Sequence, residues 1–170
     1  MNESKYDTNI TKAETFNSKY VKINFLINHI QSNTSFFFND YLEIINETIK
    51  STIKKKVLIS VMITNDKKMT DLNFKWRKIK KTTNVLSFSV KNKLVQDGYL
   101  LLGDIAISNN QALLESKERK INFQDHFMHL LLHGTLHLLG FNHEKKEEER
   151  LMENLEIKIL KKFKISNPYI

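Results

Sequence analysis

Five of the six histidines in this 170-residue chain fall between His126 and His143. Two of them, His133 and His137, stand four residues apart in an apolar stretch of helical character. On a helix, that spacing leaves them about 40° apart around the axis and about 6 Å apart along it. Both imidazoles therefore share a face and reach one point. Gly140 lets the chain turn after the helix, and His143 then returns as a third nitrogen donor. Three neutral imidazoles suit Zn2+ and leave its fourth tetrahedral position open. An open position admits water, and zinc lowers the pKa of bound water to about 7. The expected chemistry is hydrolysis, with one zinc per chain held by His133, His137 and His143. His126 and His129 lie on roughly the same helix face, one to two turns earlier. They read as packing groups or as partners of the ligands, since zinc needs no further protein donor.

The segment HGTLHLLGFNH places His, His, Gly and His at relative positions 1, 5, 8 and 11. That is the spacing of the metzincin protease motif H-E-x-x-H-x-x-G-x-x-H, whose glutamate is the general base. Here Gly134 stands at the glutamate's position. The metal-binding spacing is kept, and the peptidase base is absent.

Several elements must hold this centre. Val21, Ile23 and Phe25 alternate within a strand expected over Tyr20 to Asn28. Phe37, Tyr41, Ile44, Ile45, Thr48 and Ile49 fall at helical spacing, which predicts an amphipathic helix over about 36–53. VLISVMIT at 57–64 reads as a buried strand. Asn65 to about Arg77 reads as a helix, with Leu72 and Trp76 four apart. VLSFSV at 85–90 is a short strand, and YLLLGDIAI at 99–107 is another, entered through the turn pair Asp97-Gly98. Ser108 is an N-cap for a helix to about Lys120. Asn122 or Phe123 to Leu139 is the helix that carries His133 and His137. A last helix runs from about Glu144 to Phe163, with Leu151, Leu155 and Ile159 on one face. Residues 1–20 show no period and read as a loose N-terminal extension. The expected fold class is α+β: a single domain over 1–170, with a small mixed four-stranded sheet packed by about five helices. The zinc site sits on a C-terminal helix and the turn after it.

Composition narrows the classes. The chain has no cysteine, which removes disulfides, thiolate metal sites and a cysteine nucleophile. A transition-metal site must rest on histidines and carboxylates. The N-terminal segment MNESKYDTNI is polar and lacks the apolar stretch of a signal peptide. The longest apolar stretch, Phe127 to Phe141, is broken by His129, His133 and His137, so no membrane span is expected. A cytoplasmic protein is the simplest expectation. The net charge of +8 reflects either a lysine-rich codon bias or a polyanionic partner, with RNA or DNA foremost. KWRKIKK at 75–81 packs five basic residues into seven around Trp76, whereas the segment after His143 is acidic.

Taken together, these segments resemble the YbeY family of bacterial endoribonucleases and rRNA maturation factors. HGTLHLLGFNH is similar to its H-G-x-L-H-L-x-G-[YF]-D-H signature. LNFKWR at 72–77, TNVLSF at 83–88 and LLGDIAIS at 101–108 resemble its other segments in the expected order, and the terminal NPY resembles some members. The resemblance covers about 55–170. It implies a zinc-dependent endoribonuclease specific for single strands, acting in 16S rRNA 3′-end maturation and ribosome quality control. The implied partners are single-stranded RNA, the small ribosomal subunit and ribosome-associated proteins. It also implies a functional role for Arg77, whose guanidinium can grip a phosphate through two hydrogen bonds. Lys75, Lys78, Lys80 and Lys81 would follow the RNA backbone. The chain departs from the pattern at Asn142, where an aspartate is usual, and at Thr82, where a proline is usual. Asn142 keeps the shape of aspartate without its charge, which leaves a rival reading: a non-catalytic ribosome-associated factor with a structural zinc. A zinc peptidase is the third reading, opposed by Gly134.

Overall fold

A computed structural model describes residues 10–28, 36–92 and 94–170. In chain order the elements are β1 (Ile10–Asn17), β2 (Val21–Asn28), α1 (Phe38–Thr52), β3 (Val57–Thr64), α2 (Asp66–Arg77), β4 (Val85–Ser89), β5 (Val95–Gln96), β6 (Tyr99–Ser108), α3 (Asn109–Glu118), α4 (Phe123–Leu138) and α5 (Lys146–Lys162). The strands form one mixed sheet in the order β1-β2-β3-β6-β4, with β5 folded back on β6. β2, β3 and β6 run parallel, and β1, β4 and β5 pair antiparallel.

β3 holds the centre because six of its eight residues are apolar and five are β-branched, as a strand covered on both faces requires. Its alternation divides the interior. Val57, Ile59, Val61 and Ile63 join the main core with Ile105 and Ile107 of β6 and the buried faces of α1, α4 and α5. Met62, with Ala106 and Leu86, faces the other way, into a small cluster closed by Met69 and Leu72 of α2. Side chains of neighbouring strand residues point to opposite faces, so α2 and α4 cover opposite sides of the sheet. Side-chain caps fix three helix starts. Asn65 accepts from the Lys68 amide at 3.0 Å, Ser108 from Gln111 at 3.1 Å and Asn122 from Asp125 at 3.2 Å, each filling a donor that a helix start leaves open.

Among the described residues the α+β architecture with five helices agrees with the reading from sequence, and the differences lie in the strands, at the start of α1 and on the buried face of α5. The sheet has six strands rather than four. β1 lies inside the segment expected to be loose, of which residues 1–9 fall outside the described ones. β1 is an edge strand of polar sequence, ITKAETFN, and pairs only with β2, so no apolar period marks it. β5 is two residues long and forms a hairpin with β6 around Asp97 and Gly98, both at positive φ (50° and 79°), as a type I′ turn needs. Phe37 is the residue before α1 and is exposed. On α5 the buried stripe is Met152, Glu156, Ile159 and Leu160, while Leu151 is exposed.

Gly103 is required by a close approach. At φ +138° on β6, an added Cβ would stand 2.1 Å from the Phe88 carbonyl oxygen. The glycine lets β4 pair tightly with β6, and β4 thereby becomes the sheet edge along which the site lies.

Candidate metal centre

His133 and His137 project from the last turns of α4. The helix stops in a Schellman arrangement: the Phe141 amide donates to the Leu136 carbonyl and the Gly140 amide to the His137 carbonyl, both at 3.0 Å. Gly140 takes φ +92°, the left-handed position this stop requires. The same turn carries His143 back beside the helix. Its ring centroid lies 5.5 Å from that of His133 and 5.0 Å from that of His137. One ring nitrogen from each of the three lies within 4.8 Å of the others, so they form a group able to hold a metal ion.

The ring orientations are set from behind. His137 Nδ1 lies 3.0 Å from the Phe141 carbonyl oxygen, which can only accept, so Nδ1 carries the proton and Nε2 is left as a donor to a metal. His133 Nδ1 lies 2.8 Å from Glu156 Oε1, and the carboxylate fixes the same tautomer. The two Nε2 atoms then face each other at 3.0 Å. Two bare lone pairs at that distance repel, and a cation between them removes the repulsion. Burial, followed by the neighbouring His133 and His143, holds the His137 pKa down to about 4, so the ring is neutral near pH 7, as a metal ligand must be.

Glu156 was not visible as a site residue in the sequence. It is fully buried on α5 and takes hydrogen bonds from His133, from His129 Nε2 at 3.2 Å and from the Tyr169 hydroxyl. Burial alone would raise its pKa, but the bonds from His129 and His133 outweigh it and hold the pKa down to about 2. Glu156 falls four residues after Met152 and three before Ile159, on the stripe that the fold turns to the core, whereas the sequence pattern pointed to Leu151, Leu155 and Ile159. His129 is thus a partner of the carboxylate that orients His133. His126 is buried and bonds Glu115 at 2.6 Å, away from the three-histidine group.

Arg77 is the last residue of α2, and it reaches the same place. A cleft of about 630 Å3 runs along β4, lined by Trp76 and Arg77, by residues 83–89, and by His133, His137, Asn142, His143 and Glu144. The sequence-predicted ligands and the predicted arginine therefore share one cavity, on the sheet edge that α2 and α4 flank. Gly134 faces the sheet instead. An added Cβ would stand 3.0 Å from Ile105 Cγ2 and 3.1 Å from Ser87 Oγ, and Ser87 Oγ donates to the Gly134 carbonyl at 3.0 Å. A Cβ at 134 would press on the sheet, so position 134, where the metzincin motif has its glutamate, supplies no carboxylate here. A second groove of about 750 Å3, lined by Ile53, Val95, Leu100 and Leu139 among others, contains no histidine or carboxylate among its lining residues.

No helix of the described residues is long and apolar enough to cross a membrane. The fold is similar to a solution structure from Thermotoga maritima, with a TM-score of 0.52 at 19% identity, covering 88% of this chain and 99% of that one. In sequence the chain is 39% identical over 148 residues to the endoribonuclease YbeY of Ehrlichia chaffeensis, which spans 79% of this chain and 94% of the relative. It is 46% identical over 112 residues to that of Bartonella quintana, 65% of this chain and 71% of the relative. The family model described as endoribonuclease YbeY matches residues 22–164, and with those relatives it establishes that the chain belongs to the YbeY family.

Proposed function

We propose that the chain is a zinc-dependent endoribonuclease that cuts single-stranded RNA, and that it acts in 16S rRNA 3′-end maturation and quality control at the small ribosomal subunit. One observation carries this reading: a single cleft contains three histidines at metal-ligand spacing and an arginine free to grip a phosphate. The donor set suits zinc. Two nitrogens on one tetrahedral zinc stand about 3.3 Å apart, close to the 3.0 Å between His133 and His137 Nε2. His133, His137 and His143 would hold the ion, which when bound supplies Lewis-acid chemistry and an acidified water.

The chain's own groups do the rest. Glu156 and the Phe141 carbonyl keep the two helical imidazoles in the metal-binding tautomer. Arg77 holds the scissile phosphate by paired hydrogen bonds and stabilises the charge that grows on it. A proton released in the cleft finds one carboxylate among its lining residues, Glu144. Asn142 lines the cleft as a neutral group and adds no charge to repel the RNA backbone.

Arg77→Lys tests the arginine's part. Lysine keeps the charge and loses the bidentate grip, so cleavage of a single-stranded RNA is expected to slow about 10- to 100-fold, with metal content unchanged. Wild-type turnover in this variant would remove Arg77 from the mechanism. A wild-type protein that associates with ribosomes yet cuts no RNA would favour the non-catalytic reading.

A further inference from the structure

Trp76 is the chain's only tryptophan, and packing does not explain it. It follows Met69 and Asn73 along the buried side of α2, yet it is 61% exposed. At this point α2 has run beyond the small cluster that covers its first turns. The indole reaches over the edge strand and meets Phe88, ring centroids 5.7 Å apart with planes inclined at 52°. Trp76, Arg77 and Phe88 line the cleft that also contains His133 and His143.

The surroundings select the ligand. Lys75, Arg77, Lys78, Lys80 and Lys81 are all exposed, and none forms an ion pair among the described residues. Lys75 Nζ lies 5.4 Å from the indole centroid. The basic loop has a fixed course, because Asn73 Nδ2 donates to the Lys81 carbonyl at 2.7 Å and the Thr82 hydroxyl to Asp66 at 3.4 Å. Lys78 Nζ donates to the Lys75 carbonyl at 3.3 Å, and among the described residues no carboxylate neutralises any of the five. An exposed aromatic ring among cations without carboxylate partners fits an unpaired nucleotide: the base stacks on the ring and the flanking phosphates meet the cations. A duplex fits poorly, because its bases already stack on one another and offer no free face.

We infer that Trp76 is a stacking platform for one unpaired nucleobase of the RNA in the metal cleft, with Lys75, Lys78, Lys80 and Lys81 meeting the adjacent phosphates. This rests on the endoribonuclease reading above and adds the group that detects single-strandedness. The lone tryptophan makes it directly measurable.

The metal-loaded full chain is titrated with a fluorescein-labelled, cleavage-resistant RNA decamer and with an abasic decamer of equal length. Tryptophan emission is followed beside label anisotropy. The RNA decamer is expected to quench Trp76 saturably, and the abasic one to bind more weakly without quenching. Trp76→Ala is expected to weaken binding of the RNA decamer about 10-fold, Trp76→Phe to retain most of the affinity, and neither to change binding of the abasic strand. Binding with unquenched emission, or equal affinity in Trp76→Ala, overturns the inference. If the wild type cleaves RNA while either of those holds, stacking alone fails. If it neither binds the decamer nor cleaves RNA, the endoribonuclease reading fails and stacking fails with it.

Discussion

Replacing Glu156 by glutamine keeps the size of a fully buried side chain and removes its charge. The carboxylate accepts from His133 Nδ1 at 2.8 Å, from His129 Nε2 at 3.2 Å and from the Tyr169 hydroxyl. A glutamine amide accepts only at its oxygen, so its NH2 must face one of these donors. The pKa of Glu156 falls from the ordinary 4.5 to about 2, and each unit corresponds to about 1.4 kcal/mol, so the ionised form contributes about 3 kcal/mol to folding. The pKa is depressed, so this contribution is complete above pH 4.5 and is lost as pH falls toward 2. In urea denaturation of metal-free protein at pH 7, Glu156→Gln should lose about 3 kcal/mol of unfolding free energy, and the gap to wild type should narrow below pH 4.5. Zinc affinity, read by chelator competition at pH 7, should fall about 10- to 100-fold because His133 loses its orienting partner. A variant as stable as wild type at pH 7, or a stability gap that does not change between pH 7 and pH 3, would refute the reasoning.

Two further outcomes follow from the same geometry. Gly134→Ala sets a methyl 3.0–3.1 Å from Ile105 Cγ2 and Ser87 Oγ; overpacking costs about 1–3 kcal/mol against about 1 kcal/mol gained in helix propensity, so Tm should fall modestly, and an unchanged or raised Tm would show that β6 yields freely. Metal-free protein should lose stability as pH falls from 6.5 toward 4, because the unfolded chain takes up a proton at His137 that the folded chain refuses until about pH 4; stability curves over this range should be flatter in His137→Ala, and identical slopes would contradict the assignment.

Much of the site was legible because its signals are local. The four-residue step from His133 to His137, the Gly140 stop and the return to His143 all lie within eleven residues; helix geometry pairs the first two, and the glycine turn brings back the third. The cores of β3, α1 and α4 were equally plain, since apolar residues repeat there at the period of the element. What stayed hidden depends on distant partners. Glu156 reads as one more acidic residue of α5 until the fold turns it onto His133. Tyr169 reads as a tail residue until its hydroxyl meets that carboxylate. β1 has no apolar face to announce it, being an edge paired on one side only. The spacing of Leu72 and Trp76 suits a packed face, but α2 is longer than the cluster beneath it, and the tryptophan emerges at the cleft. Arg77 could be tied to the histidines through family resemblance, and the fold supplies the physical reason by placing both sides of β4 on one cavity.

The central claim, that three histidines hold a zinc ion on which RNA cleavage depends, is tested most directly by titrating zinc into chelator-stripped protein while following cleavage of a single-stranded RNA. For the wild type, the rate should rise from background to a plateau at one zinc per chain. For His133→Ala with a native circular dichroism spectrum, it should stay at background throughout. Cleavage that persists in the stripped wild type, or that the His133→Ala protein recovers at the same zinc level, would contradict the account.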